Sequence, residues 1–112
     1  MTVDDGAYNL TALADRMRSD TLVHALPVLE HDALSATILR PVPGEPFEEG
    51  PATSDTVYVV IAGFGSLGSS DADDMDATAG DVLFVTAGRN RRFTKLSRKF
   101  LVWRLTLRSP LT

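Results

Sequence analysis

Residues 56–62, TVYVVIA, closed by Gly63, and residues 82–86, VLFVT, set between Gly80-Asp81 and Ala87-Gly88, decide how this chain folds. Both runs are β-branched and apolar, too short for a helix, and bounded by turn residues, so both are strands. Downstream of the first run, Gly63–Ser70 continues as a weaker strand toward an acidic hairpin at Asp71–Asp74. Met75–Thr78 returns, Ala79-Gly80-Asp81 turns, and the second run follows. After Ala87-Gly88-Arg89-Asn90, the segments Arg91–Lys95 and Lys99–Arg108 complete the pattern.

Upstream, Thr21–Leu29 and Ala33–Arg40 read as strands joined across the polar turn Glu30-His31-Asp32. Residues 41–55 hold Pro41, Pro43, Pro46 and Pro51 and read as a loop. Residues 9–18, NLTALADRMR, space Leu10, Leu13, Ala14 and Met17 for a short helix capped by Asn9. The chain therefore divides into an N-terminal segment, 1–20, with that helix, and a β domain, 21–112. Strands at roughly ten-residue spacing with glycine-centred turns predict an all-β antiparallel sandwich or barrel. In the last strand Leu101, Trp103, Leu105 and Leu107 share one face, which is expected to be core. Phe100 and Val102 fall beside Arg104, Thr106 and Arg108 on the other face, which calls for a cover: the helix or a second subunit.

The 112 residues suit one domain, and the net charge of −4 argues against a nucleic-acid partner. Without cysteine there is no disulfide, no cysteine-bound zinc and no thiol catalysis. The acidic start, MTVDDG, lacks signal-peptide order, and no apolar run approaches the ~20 residues of a membrane span. The chain reads as cytoplasmic, with no membrane partner.

Gly63-Phe64-Gly65-Ser66-Leu67-Gly68 is a literal GxGxxG after a strand. A dinucleotide site needs a helix next, yet residues 69–79, SSDADDMDATA, carry no apolar stripe and place four aspartates where phosphate would sit. A glycine-rich hairpin is expected instead. Those aspartates do not form a calcium loop either, because the mid-loop glycine is missing and Val82 stands where a bidentate glutamate belongs. Arg89, Arg91, Arg92, Lys95, Arg98 and Lys99 form a basic run that strand alternation scatters over two faces.

Two glycine frames are more specific: Gly44, Gly50, Ala52, Thr56 and Gly63, then Gly80-Asp81, Thr86, Gly88, Arg91 and Lys95. Over about residues 35–108 they resemble the two signature motifs of the cupin family. Gly44, Gly63, Gly80 and Gly88 fall on its turn glycines. The resemblance implies a jelly-roll β-barrel, or double-stranded β-helix, and a homodimer formed through the N-terminal strand Thr21–Leu29. In that family two histidines, a glutamate and a third histidine bind one metal. Here those positions are Gly50, Ala52, Thr56 and Arg91, which supply no adequate donor set, so no metal and no cofactor are expected.

The candidate ligand-binding residues are Arg91, Tyr58, Thr56 and His24. Arg91 either pairs internally with Glu48, Glu49 or Asp55, or anchors an anion. Tyr58 and Thr56 alternate onto one face of their strand and line the same interior. His24 alternates with apolar neighbours, whereas His31 sits at a turn tip. A barrel that binds a small, anionic organic molecule is the first expectation. A metal-independent isomerase, epimerase or lyase using His24 and Tyr58 is the alternative. A non-catalytic dimeric scaffold, its cavity closed by Trp103, Phe84 and Phe93, is the other.

Overall fold

The computed structural model describes Ala12, Asp15 and residues 25–42, 45–50, 53–69 and 72–107. The helix expected over residues 9–18 lies outside that set apart from Ala12 and Asp15, both helical. The nine strands among the described residues are β1 (Ala25–Glu30), β2 (Leu34–Leu39), β3 (Phe47–Glu48), β4 (Thr56–Ala62), β5 (Phe64–Ser69), β6 (Ala72–Thr78), β7 (Val82–Val85), β8 (Arg91–Thr94) and β9 (Leu101–Leu107). They make two antiparallel sheets, ordered β1-β2-β9-β4-β7 and β3-β8-β5-β6. This is the all-β jelly roll that the strand pattern predicts. β3 is an addition, because it lies inside the proline-rich stretch expected to be loop. Two residues carry no periodicity, and only pairing of Phe47 with Phe93 and of Glu48 with Arg92 makes them a strand.

Consecutive β4 and β5 belong to different sheets, and Gly63 is the hinge between them. Its φ is +76°, and a Cβ there would lie 2.8 Å from the Phe100 backbone and collide with the Ser97 hydroxyl. That hydroxyl accepts the Phe64 N–H at 3.0 Å, which ties the corner shut. The GxGxxG stretch is thus a sheet-to-sheet corner running into the β5–β6 hairpin, with no helix after it.

Between the sheets, Phe93 packs edge-on against Tyr58 at 5.1 Å and 86°, and tilted against Phe100 at 5.6 Å. All three are at most 1% exposed and are surrounded by Leu39, Val60, Leu67, Leu83, Val85, Leu96 and Val102. The expected facing of β9 is reversed. Val102 lies inside with Tyr58 and Val60, while Leu101 and Trp103 join Ile38, Leu26 and Val28 in a separate cluster. Trp103, Leu105 and Leu107 are only half-buried. Alternation sorts side chains into two faces, but pairing with β4 decides which one looks inward. Phe84, expected to close the cavity, is also 45% exposed.

Phe93→Ala removes the ring on which the other two aromatics rest and is expected to cost about 3–5 kcal/mol in urea unfolding. Leu105→Ala, on the outer face, costs clearly less in the same measurement.

Candidate functional site

Strand register orders the inner face of the larger sheet into three rows. The first is Leu39, Val102 and Val60, all buried and apolar. The second is Thr37, Arg104, Tyr58 and Leu83; the third is Ser35, Thr106, Thr56 and Val85. One half of the interior is therefore an apolar plug, and the other half becomes polar within two residues. In that polar half Tyr58, Thr56, Leu83 and Val85 are buried, whereas Ser35, Thr37, Arg104 and Thr106 are half-buried. The half-buried members of the polar half all lie on the β2–β9 side.

Arg91 enters from the opposite sheet. It is 2% exposed; its Nη1 donates to Thr56 Oγ1 at 2.5 Å, and its Nη2 donates to the carbonyls of Ser54 and Thr86 at 3.3 and 3.4 Å. Its Nε–H finds no acceptor among the described residues. The internal ion pair that would make Arg91 structural does not form with any of its expected partners. Glu48 pairs with Arg92 at the surface, at 3.1 Å. Glu49 takes Arg104, whose Nη1 reaches both carboxylate oxygens at 3.0 and 2.8 Å. Asp55 accepts the Ala87 N–H at 2.9 Å. Arg91 is a buried cation held by neutral oxygens.

Tyr58 donates its hydroxyl to Glu49 Oε1 at 2.8 Å, so phenol, carboxylate and Arg104 form one chain beside Arg91. Glu49 is carried to this place by its own N–H, which donates to the Arg91 carbonyl at 2.9 Å. Arg104, expected on a polar outer face, and Glu49, expected only as a partner for Arg91, were thus both misplaced by sequence reasoning. The Val102-Arg104-Thr106 alternation held the signal, but only the match of Arg104 to Tyr58 across β9 and β4 gives it meaning. His24 lies outside the described residues. His31 is exposed in the β1–β2 turn, where Nδ1 accepts the Ala33 N–H.

The residues at the metal positions implied by the cupin resemblance do not fit a metal. Gly50 has no donor, the Thr56 hydroxyl is already bonded to Arg91, and the Arg91 guanidinium repels a cation; Ala52 lies outside the described residues. No three histidine, cysteine, aspartate or glutamate side chains converge among the described residues.

Burial, then the Glu49 carboxylate, pushes the Tyr58 phenol well above its ordinary range; hydrogen bonding and charge from Arg91 pull the other way. Tyr58 is a neutral donor and no base at physiological pH. Because its folded value is raised, the stabilisation is fully present below the unfolded value of about 10 and is lost as pH rises through the folded one. Unfolding free energy is expected to fall above about pH 10 by roughly 1.4 kcal/mol per pH unit from this residue, and Tyr58→Phe removes that contribution. Urea titrations from neutral to alkaline pH on both proteins measure it.

No family model and no curated protein matches the chain. Solved structures do. A cupin superfamily protein from Desulfitobacterium hafniense is 23% identical over 76% of each chain, with a TM-score of 0.65. An uncharacterised Klebsiella pneumoniae protein with a double-stranded β-helix domain is 12% identical over 97% of this chain and 95% of that one, with a TM-score of 0.73. The DMSP lyase DddQ from Ruegeria pomeroyi is 17% identical at a TM-score of 0.68, and the match spans 79% of this chain but 48% of the lyase. The fold is cupin-like; at these identities the likeness extends to the fold alone.

Proposed function

We propose that this cupin-fold barrel binds a small organic anion, with Arg91 as the buried counter-charge, Thr56 orienting the guanidinium, and Tyr58 with its Glu49 partner forming the adjoining wall. The observation that carries it is the buried guanidinium without a carboxylate partner among the described residues and with a free Nε–H. An unpaired buried charge costs several kcal/mol, and Arg91 sits one alternation from Phe93, where an apolar side chain would pack. A carboxylate on the guanidinium would turn that cost into charge-assisted hydrogen bonds. The half-buried Ser35, Thr37, Arg104 and Thr106, two from each polar row, support a route in from solvent. No observation favours the isomerase or lyase alternative: of its two groups, Tyr58 stays protonated and His24 lies outside the described residues.

Arg91→Met should leave the unliganded melting temperature at or above that of the parent chain, because the buried charge is gone. It should also abolish the thermal upshift produced by small carboxylates, a loss of about 10- to 100-fold in affinity if the contact is worth 1.5–3 kcal/mol. Equal upshifts in both proteins would refute the role of Arg91.

The chain is further proposed to be a homodimer. β1 and β7 are the edge strands of the larger sheet, and on β7 Val82 and Phe84 are 65% and 45% exposed. Apolar edges of this kind are normally covered. Sedimentation equilibrium should return twice the chain mass, and a monomer at micromolar concentration contradicts it.

A further inference from the structure

We infer that the anion is singly charged and hydroxylated, a small hydroxy-carboxylate, an inference that rests on the binding function proposed above. Two features of the polar half carry it, and neither is Arg91 alone.

The first is the charge count. Among the described residues whose side chains face the polar half there are two guanidinium groups, Arg91 and Arg104, and one carboxylate, Glu49, which already holds Arg104 through both oxygens; Asp55, next to Thr56, is turned to the Ala87 N–H. One positive charge is left over. A monoanion neutralises it, whereas the second carboxylate of a dianion would meet no further unpaired cation among the described residues there. Arg104 spends only Nη1 on Glu49, and its side chain is 30% exposed. Its remaining donors can hydrogen-bond a neutral oxygen of the ligand without a further charge.

The second is the wall. Ser35, Thr106 and Thr56 stand side by side in one row across β2, β9 and β4, and Thr37 lies beside Arg104 in the next. Neighbouring strands are about 5 Å apart and the two rows about 7 Å apart, so this wall has the extent of a molecule of roughly four to six carbons. Deeper in, Leu39, Val102 and Val60 are packed solid against Phe93 and Phe100, so no apolar tunnel is open to an alkyl tail. A ligand anchored on Arg91 presents its remaining length to hydroxyls. An alkyl chain there would strip water from Ser35, Thr37 and Thr106 and return no hydrogen bonds.

Isothermal titration of the intact chain with four six-carbon probes separates these features: D-gluconate, hexanoate, adipate and sorbitol. Gluconate is expected to bind at least about tenfold more tightly than hexanoate, the equivalent of one or two hydrogen bonds, and more tightly than adipate, with no heat from sorbitol. Thr37→Val and Thr106→Val, near-isosteric and at half-buried positions, should weaken gluconate several-fold and leave hexanoate unchanged. If hexanoate matches or exceeds gluconate while Arg91→Met abolishes both, the anion site stands and its hydroxylated ligand class is overturned. Adipate binding most tightly overturns the single charge, and equal weakening of both monoanions by the threonine variants overturns the hydroxyl wall. If none of the three carboxylates binds, the binding function itself fails.

Discussion

A guanidinium buried between two sheets, satisfied by a threonine hydroxyl and two main-chain carbonyls, constrains the polar half of this barrel. Arg91 belongs to the smaller sheet, yet its side-chain bonds among the described residues go to β4, to Ser54 just before it, and to Thr86 just after β7, all on the larger-sheet side. It therefore bridges the two layers at the end away from the Phe93–Phe100 contact. Beside it, Glu49 from the smaller-sheet side grips Tyr58 and Arg104 on the larger sheet, a second tie in the same place. Polar contacts thus join the two sheets at this end, while Phe93 and Phe100 join them at the other.

Such an arrangement is not what stability alone would select. Neutral oxygens compensate a buried positive charge only in part, and position 91 alternates with Phe93 on a strand whose inner face is otherwise core. On the proposed function, that cation is a site held ready for an opposite charge, at a cost in folding free energy of the kind functional sites carry. It also stands where the cupin motif places a metal ligand. In this chain the interior positive charge is covalent, part of a side chain, and its direction is set by the Thr56 hydroxyl.

Much of the fold was legible before any coordinates. Glycines bounding short β-branched runs marked β4 and β7, and alternation put Thr56 and Tyr58 on one face. The two-residue β3 was not legible, because a strand that short exists only through its pairing with β8. Nor was the facing of β9. Leu101, Trp103, Leu105 and Leu107 make the more apolar face, but hydrophobicity cannot say which layer covers it, and the register with β4 turned Val102 and Arg104 inward instead. From the same inversion came the two misplaced site residues, Arg104 and Glu49.

The sequence by itself determined an antiparallel jelly roll, the lack of an adequate metal-donor set at Gly50, Thr56 and Arg91, and the candidacy of Arg91, Tyr58 and Thr56. Those properties are carried by residue identity and local spacing. Only the tertiary structure decided that Arg91 lacks a carboxylate partner among the described residues, that Glu49 belongs to Arg104, and that the interior turns from apolar to hydroxyl-lined within two rows. The physical reason is range. Turns and alternation act over a few residues, whereas the partner of a buried charge is set by the register of strands 35 or 55 positions apart in the chain.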